Sequence, residues 1–499
     1  MSKQFSQHAG DRFRGGLRIV STLVLWSVLA GITQADECPG VAVQRVDRPP
    51  SVDRPPNIVM IVADDQRYSD FGFMGNANVR TPHLDELARE AAVYTHAYVP
   101  SSVCRPSLVT LLTGLYPHQH GVHFNHPPPG FAKLTKSADI DKHEFDRLRR
   151  QAVHLIRNRS TIPRLLAAQG YRCFQTGKYW EGHWKNAGFT EGMTIAQPSG
   201  GRYGDKQLAN GDRVAHGNGD HGLAIGRETM QPIAAFLDDV QQCPFFLWYA
   251  PFLPHTPHDS PEKFRRAVAA NLEVRPYQVP YYAAIMQFDE TVGQLIRMID
   301  QRGMKDDTLF VFVADNGWEP DPARFRKSSN EWDHTPDSKR SPFDAGLRTP
   351  ILLRWTGRIK AAKHTALVST IDLLPTLLEA ACVKDRPTGL PGISLWPSAV
   401  GKQQLSHERA VFGEIYPGDA SMMGAAGQDL AYRWVRKGKY KLIVPASHGR
   451  QLPWNSYVEG TALFDLVQDP AESHDLVADP SRAHVVAELS ETLDLWWSP

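Results

Sequence analysis

The stretch NIVMIVADD (57–65) decides the fold, because a nearly unbroken apolar run ends there in two adjacent aspartates. A second run, TLFVFVADNG (308–317), repeats this arrangement, and a third, PFFLWYA (244–250), leads into a segment that contains His255. Unbroken apolar runs are typical of strands that are buried on both faces of a mostly parallel sheet. Ligands of such sheets bind beyond the carboxyl ends of the strands, so the three runs predict one polar site at one edge.

The rest of the chain alternates apolar runs with helical patterns, which predicts an α/β fold with a large, mostly parallel sheet flanked by helices. Residues 281–303 have helical periodicity and end in a glycine, and Asp289 within them is interpreted as solvent-facing. After residue 400 the pattern changes to that of a smaller C-terminal antiparallel sheet plus helix. We therefore expect a catalytic domain at 57–400 and a C-terminal subdomain at 401–499.

The N-terminus differs from the rest of the chain. Basic residues precede an apolar run at 19–32, and a small-x-small pattern follows at Thr33 and Ala35. These features predict an export signal at 1–35, and the Pro-Pro pairs that follow predict a linker at 36–56. The apolar run is shorter than the roughly 20 residues that span a bilayer. We expect a periplasmic or secreted protein with no membrane span after signal removal.

Composition excludes some partners. The formal net charge is +1, and no basic run is interleaved with aromatics, which argues against nucleic acid as a partner. The five cysteines contain no CxxC pair, which argues against a zinc site of that type. An exported chain of this kind can oxidise four of them and leave one over.

Long polar stretches at 126–160, 196–222 and 320–340 are interpreted as surface loops that set the specificity for the substrate.

The side chains at the strand ends offer oxygen ligands. Asp64 and Asp65 follow the first apolar run, and Asp315 and Asn316 follow the run at 308–314. Hard oxygen ligands select Ca²⁺ or Mg²⁺ over zinc or copper. The alternative is that these residues form turns and cap helices, as Asp and Asn often do. Two acidic clusters after two buried strands favour the metal site.

The segment VCRPSLVTLLTG (103–114) predicts a helix that begins just after Cys104, with Leu111 and Leu112 on its apolar face. The N-terminus of a helix binds anions and favours a nucleophilic cysteine. The alternative is a buried structural thiol, which is the usual role of a lone cysteine.

This segment resembles the sulfatase signature, in which Cys, any residue, Pro, Ser and Arg precede a short helix that ends in Thr-Gly. The runs that end in ADD and ADNG resemble the two metal strands of that family. GYRCFQTGKYW (170–180), PHTPH (254–258) and KRSPFDAGLRTP (339–350) resemble its further motifs. The resemblance covers nearly the whole mature chain, and several ordered motifs are more specific than any one of them.

The resemblance implies hydrolysis of a sulfate monoester, either a sulfated polysaccharide or a small aryl sulfate. In the family a modifying enzyme oxidises the signature cysteine to formylglycine, whose hydrate attacks sulfur. The implied metal is Ca²⁺, with Mg²⁺ as the alternative, and its ligands are Asp64, Asp65, Cys104, Asp315 and Asn316. The implied catalytic residues are Cys104, Lys178, His255, Lys339 and His183. Of these, Lys178, His255 and Lys339 also bind the substrate.

Two positions depart from the family pattern. Leu108 stands where the signature has Arg, and Trp180 stands where a His usually follows the lysine by two residues. Arg105, one helical turn before Leu108, is a candidate to replace the guanidinium. His183 is a candidate to replace the imidazole and to act as the base of the second step.

Three alternatives remain open at this point. A phosphoryl or phosphonate ester hydrolase of the same superfamily would keep the sheet and the metal. A non-catalytic protein that binds sulfated glycans would explain the departures at positions 108 and 180. A purely structural surface protein would give no reason for carboxylates clustered at strand ends.

Overall fold

The computed structural model describes residues 55–198, 204–215, 221–240, 243–318, 338–416, 418–446 and 457–499. All of them belong to one compact unit that spans Cys38–Pro499. The predicted export signal, and the predicted linker up to residue 54, lie outside the described residues. Within the described ranges, no helix is both long enough and apolar enough to cross a bilayer.

Fifteen strands are found in the described ranges, and they form three sheets. Numbered in chain order they are β1 Asn57–Ala63, β2 Ala92–Tyr98, β3 Arg172–Gly177, β4 Glu191–Gly192, β5 Asp205–Gln207, β6 Arg213–Ala215, β7 Phe245–Ala250, β8 Thr308–Ala314, β9 Arg348–Arg354, β10 Ala362–His364, β11 Val368–Ser369, β12 Ala410–Ile415, β13 Tyr432–Lys437, β14 Tyr440–Pro445 and β15 Ala462–Asp465.

The large sheet confirms the predicted architecture. Its strand order is β10-β2-β9-β8-β1-β7-β3-β4, and β11 pairs with β2. β9 runs antiparallel to its neighbours β2 and β8, and the other pairings are parallel. Every residue of β1, β7 and β8 is buried, as their unbroken apolar runs predict.

Helices cover both faces of this sheet. Alternate residues of β1 belong to two hydrophobic clusters: Ile58 lies in the cluster that contains Leu111, and Val59 lies in the cluster that contains Phe288. The α-helices, in chain order, are α1 Pro82–Arg89, α2 Cys104–Thr113, α3 Pro117–His120, α4 Phe131–Leu134, α5 Lys142–Val153, α6 Ile162–Ala167, α7 Gln231–Asp239, α8 Glu262–Ala269, α9 Val279–Asp300, α10 Asp344–Leu347, α11 Leu373–Ala380, α12 Trp396–Ala399, α13 Ala426–Asp429 and α14 Ala483–Trp496.

The long helix α9 confirms the helix predicted at 281–303, but the interpretation of Asp289 was wrong. Asp289 is 2% exposed and accepts hydrogen bonds from the backbone amides of His83 and Leu84 in the first turn of α1. Those amides have no partner within their own helix, and a carboxylate on the neighbouring helix satisfies them.

The C-terminal part confirms the predicted antiparallel sheet plus helix. β12, β13, β14 and β15 pair in that order, and α14 packs on one face through Val485, Leu489 and Leu493. Trp434 and Phe464, on the other face, share a hydrophobic cluster with Tyr98 of the large sheet. The small sheet is therefore held against the large one by apolar packing.

Two predicted surface loops contain regular structure. Residues 126–160 include α4 and α5, and Phe145 and Ala152 are completely buried there. Residues 196–222 include the hairpin formed by β5 and β6, while 320–337 lie outside the described residues.

The expectation that four of the five cysteines pair was wrong. Cys243 is disulfide-bonded, whereas Cys104, Cys173 and Cys382 are free, so at most one disulfide forms among the five.

Candidate active site

The two acidic strand ends lie side by side. β1 and β8 are paired in register up to Ala63 and Ala314, so the residues that follow them meet at one edge of the sheet. The backbone N–H of Asp65 donates to Oδ1 of Asp315 at 3.0 Å, and Nδ2 of Asn316 donates to Oδ1 of Asp65 at 2.6 Å. Asp65 has a φ of 63°, a left-handed conformation that is uncommon for non-glycine residues and clusters at functional sites.

Two buried lysines face these carboxylates. Lys178 follows β3, and its Nζ forms an ion pair with Asp64 and lies 3.7 Å from Oδ2 of Asp315. The Nζ of Lys339 donates to Oδ2 of Asp65 at 2.7 Å. Lysine is rarely buried without a charged partner, so both side chains are held in place by the acids that they face.

His255 reaches the same carboxylates from the loop after β7. Its Nε2 lies 3.3 Å from Oδ2 of Asp65, and its ring stacks on Phe252 with centroids 4.2 Å apart. Nδ1 lies 2.6 Å from the carbonyl oxygen of Thr256. A carbonyl oxygen only accepts, so Nδ1 carries a proton and Nε2 is the atom directed at the site.

Cys104 is the first residue of α2 and is buried at the same place. Its Sγ lies 3.5 Å from Oδ1 of Asp65. Oγ of Ser107, in the same first turn, donates to the carbonyl oxygen of Asp315 at 2.5 Å. The predicted position at a helix N-terminus is confirmed, and this terminus is tied directly to the residue that follows β8.

The oxygen atoms of the site fit a cation. Asp64, Asp65, Cys104 and His255 each offer one ligand atom, and these atoms lie within 4.8 Å of one another. Oδ2 of Asp64, Oδ2 of Asp315 and Oδ1 of Asn316 are buried and have no hydrogen-bond partner among the described residues. Buried polar atoms are nearly always paired, so three oxygens without a hydrogen-bond partner in one cluster fit the binding of a cation.

The pKa values follow from burial and from the uneven charge. Burial raises the pKa of Asp64 to about 7 and that of Asp315 to about 6, although Lys178 opposes both shifts. Burial also acts to raise the pKa of Asp65, but Lys339 and His255 outweigh it and hold that pKa below its usual range. Burial, with Asp65 as a second cause, raises the pKa of the Cys104 thiol well above its usual value. The unmodified thiol is therefore neutral and a weak nucleophile.

Eight of the nine predicted site residues come together, and His183 does not. His183 caps a short 3-10 helix, Trp184–Ala187, and its Nδ1 accepts from the backbone N–H of Lys185 at 3.2 Å. Among the described residues it has no hydrogen bond or ion pair to the acidic cluster. The residues of the cluster are Asp64, Asp65, Cys104, Lys178, His255, Asp315, Asn316 and Lys339.

The two departures from the family pattern share an apolar environment. Leu108 and Trp180 are 3% and 8% exposed and belong to the same hydrophobic cluster. The ring of Trp180 lies 5.6 Å from Nζ of Lys178. Arg105 makes no bond to Cys104 or to the acidic cluster within the described residues. Its guanidinium is paired with Glu181 instead.

Comparison with known proteins identifies the family. The family model described as Sulfatase matches residues 56–383. The chain belongs to the sulfatase family. Residues 333–496 of this sulfatase also match the model described as N-sulphoglucosamine sulphohydrolase, C-terminal. The sequence resemblance implies three features that the structure contains: the fold, the acids at the strand ends and the cysteine at the start of a helix.

Named relatives extend along most of the sulfatase chain. Arylsulfatase A of Homo sapiens is 29% identical over 469 residues, which cover 86% of this chain and 84% of that protein. N-acetylgalactosamine-6-sulfatase of Mus musculus is 26% identical, with coverage of 84% and 81%. The crystal structure of Ps i-CgsB in complex with k-i-k-neocarrahexaose has the same fold, with a TM-score of 0.63 at 21% identity and coverage of 89% and 93%. The chain is a sulfuric ester hydrolase.

Sequence reasoning missed Glu181 and Asn125. Glu181 follows Lys178 by three residues, and Asn125 accepts from the backbone N–H of Arg105 at 3.0 Å. An acidic residue directly after a Tyr-Trp pair was a signal for a buried ion pair, because burial of an unpaired carboxylate is costly. The identity of its partner could not be predicted, because Arg105 lies 76 residues away in the chain.

Proposed function

We propose that this sulfatase hydrolyses sulfate monoesters of carbohydrates, with residue 104 as the nucleophile after its oxidation to formylglycine. One observation carries the proposal. Cys104 opens helix α2 and contacts Asp65, inside a cluster of buried oxygens that lack partners. A helix N-terminus stabilises negative charge at this position, both on an attacking oxygen and on a bound anion.

The oxygen donors favour Ca²⁺ or Mg²⁺ as the cation, and Asp64, Asp65, Asp315 and Asn316 would hold it. The bound cation supplies positive charge that polarises a sulfate group, and formylglycine supplies a hydrated aldehyde as nucleophile. The thiol of Cys104 is neutral at this place, so oxidation of this residue is what would give it a reactive oxygen.

The chain's own side chains position the ester and move its protons. Lys178 and Lys339 are buried and supply two fixed positive charges for the oxygens of a sulfate group. His255 holds a proton on Nδ1 through the carbonyl of Thr256 and directs Nε2 at the site. We assign His255 as the acid, because in its doubly protonated form it carries a second proton on Nε2 that it can give to the departing alcohol, which leaves the neutral imidazole with its proton on Nδ1. We leave His183 out of this set, because the described hydrogen bond of its ring is with the backbone of its own turn.

Carbohydrate is the proposed substrate class because of the similar proteins. The relative from Mus musculus is named N-acetylgalactosamine-6-sulfatase, and the structure of Ps i-CgsB is a complex with k-i-k-neocarrahexaose. We also propose that the protein acts outside the cytoplasm. The basic and apolar pattern at 1–35 supports export, and the disulfide at Cys243 supports an oxidising compartment.

The mass of the Cys104 peptide from protein made in its native host tests the nucleophile. Oxidation of cysteine to formylglycine replaces the side chain –CH2–SH by –CHO, and the mass of the peptide should fall by the difference between these two groups. Turnover of a sulfated carbohydrate or aryl sulfate by the same preparation is expected, with much slower turnover of the matching phosphate ester. A preference for the phosphate ester would instead support the phosphoryl or phosphonate hydrolase.

A second function is favoured by Leu108 and Trp180. Because apolar side chains occupy both positions, a non-catalytic protein that binds sulfated glycans would keep the pocket and lose the chemistry. An unmodified Cys104, no turnover and retained affinity for a sulfated glycan would together establish that function. A modified residue 104 with sulfate release would exclude it.

A further inference from the structure

A fully buried ion pair joins two catalytic segments of the proposed site. Arg105 directly follows Cys104, and Glu181 follows Lys178 by three residues. Nε of Arg105 donates to Oε1 of Glu181 at 2.5 Å, and its second terminal nitrogen donates to Oε2 at 2.9 Å. Their exposed fractions are 0% and 1%. This two-point contact fixes angle as well as distance, which a single bond does not.

The rest of the guanidinium is also held. It donates to the carbonyl oxygens of Ala152 at 3.0 Å and Phe124 at 3.5 Å, and it lies 4.6 Å above the ring of Phe124. A buried ion pair is tolerated when such additional bonds satisfy its remaining donors. Arg105 therefore has one defined position.

The backbone of Arg105 is fixed as well. Val103, at the N-cap of α2, provides no side-chain cap, and Oδ1 of Asn125 accepts from the backbone N–H of Arg105 at 3.0 Å instead. Ser107 ties the same first turn to Asp315. The first turn of α2 is thus anchored on one side to β8 and on the other side to the segment after β3.

The segment with Lys178 is anchored at both of its ends. At its start, the backbone N–H of Lys178 donates to the carbonyl oxygen of Ala250 at 2.6 Å. Gly177 has a φ of +72°, and a Cβ there would lie 2.0 Å from that same oxygen, so only glycine fits. At its far end, Glu181 is held by Arg105. Movement of this pair would change the position of residue 104 relative to Lys178.

We propose that Arg105 and Glu181 are positioning residues that set the placement of the nucleophile at position 104 against the sulfate-binding Lys178. The inference rests on the proposed function, because its readout is sulfate ester turnover. Leu108 has no hydrogen-bonding side-chain group, and the ring of Trp180 lies 5.6 Å from Nζ of Lys178, so neither residue supplies the guanidinium or the imidazole of the family pattern. The pair at 105 and 181 provides the polar link between the two segments in their place.

The variant Glu181→Gln tests this link, since it keeps the size of the side chain and removes the charge. Misplacement by about 1 Å costs on the order of 100-fold in rate. We expect kcat on a small aryl sulfate to fall roughly 100-fold, while KM changes by less than about threefold. Rates are compared per molecule that contains formylglycine, measured from the mass of the Cys104 peptide. Glu181→Asp keeps the charge and should recover part of kcat.

Asp372→Asn is the matched control. Asp372 is completely buried and accepts two bonds from the two terminal nitrogens of Arg409, at 2.6 and 2.7 Å, so it also forms a two-point contact with a guanidinium. It lies near the opposite end of α2, where Gly114 packs against Leu374 and Ile371. The control should lower the unfolding midpoint about as much as Glu181→Gln and leave kcat within about twofold.

Equal loss of kcat in Glu181→Gln and Asp372→Asn would show that the pair is merely structural and would overturn the proposal. If Glu181→Gln does not fold, Arg105→Lys replaces it, because lysine keeps the charge and loses the two-point geometry. An unchanged kcat in Arg105→Lys would then overturn the proposal. If the wild type turns over the sulfate ester and the variants have the same kcat, the positioning role of the pair is rejected and the proposed function stands. If the wild type shows no turnover, the proposed function is rejected as well.

Discussion

The acidic cluster at the strand ends contrasts with a second buried charged group, which we call the bridging cluster: Asp344, Glu472, Lys441, Arg436 and Tyr98. In the bridging cluster, Nζ of Lys441 lies 3.1 Å from Oδ1 of Asp344 and 2.9 Å from Oε1 of Glu472. Oδ2 of Asp344 accepts from the hydroxyl of Tyr98 at 2.8 Å and lies 3.5 Å from Arg436. Two carboxylates meet Lys441 and Arg436 there, Arg348 lies 3.8 Å from Oδ2 of Asp344, and both oxygens of Asp344 are used.

The acidic cluster has a different balance. Three carboxylates meet two lysines and the imidazole of His255, and one oxygen each of Asp64 and Asp315 has no hydrogen-bond partner. A balanced cluster holds the large sheet and the small sheet together, whereas an unbalanced one attracts a cation. Oε1 of Glu472 in the bridging cluster also lacks a hydrogen-bond partner, so neither burial of charge nor an unpaired oxygen by itself marks a binding site. The excess of carboxylates over lysines is what distinguishes the acidic cluster.

The largest expected effect comes from Cys104→Ala, which alters the acidic cluster and leaves the bridging cluster intact. Loss of a nucleophile typically costs several orders of magnitude, so sulfate ester turnover should fall at least about 10⁴-fold. The unfolding midpoint should change little, because a small side chain is replaced by a smaller one. Steady-state rates and thermal unfolding measure both. Retained turnover would contradict the assignment of residue 104.

Asp315→Asn should remove the bound cation without unfolding the chain. The amide keeps the acceptor for the backbone N–H of Asp65 and removes one charge from a site whose acids repel one another. Metal content should fall from about one equivalent to near zero, with turnover reduced roughly 10³-fold. Elemental analysis of the purified protein measures the first effect. One equivalent of zinc or copper in the wild type would contradict the choice of a hard cation.

Lys441→Met tests the other side of the comparison. It leaves Asp344 and Glu472 facing each other without their shared cation. Breaking a buried pair costs about 3–5 kcal/mol, so the free energy of unfolding should fall by that amount. Metal content per folded molecule should stay at its wild-type value, and chemical denaturation checks the stability. A loss of metal with no loss of stability would show that the two clusters are not separate in role.

The smallest effect is a pH dependence at Glu472. Burial raises the pKa of Glu472 from 4.5 to about 7, although Lys441 opposes the shift. The folded state therefore holds this proton more tightly than the unfolded state. The free energy of unfolding should fall as pH rises from about 4.5 to about 7, by roughly 1–3 kcal/mol. Denaturation curves between pH 5 and pH 8 measure this slope, and Glu472→Gln should flatten it. An unchanged slope in Glu472→Gln would assign the dependence to another group.

Local patterns predicted most of the fold. Apart from their first residues Asn57 and Thr308, strands β1, β7 and β8 are apolar, and a strand that is buried on both faces shows this pattern in any short window of sequence. The reliance on local patterns also explains why the interpretation of Asp289 was wrong. Asp289 follows Phe288 on a helix with a polar face, and only the position of α1 shows that its carboxylate caps two backbone amides.

The sequence by itself determined the groups present in the site: acids at two strand ends, a cysteine at a helix start, and lysines and a histidine in recognisable segments. Such features depend on residues close together in the chain, where periodicity and strand ends fix the geometry. Only the tertiary structure decided which charges meet. Arg105 meets Glu181 at a separation of 76 residues, and Lys441 meets Asp344 at 97, whereas the ring of His183 bonds to the backbone of its own turn. Long side chains find partners by the packing of distant segments, and no local pattern encodes that choice.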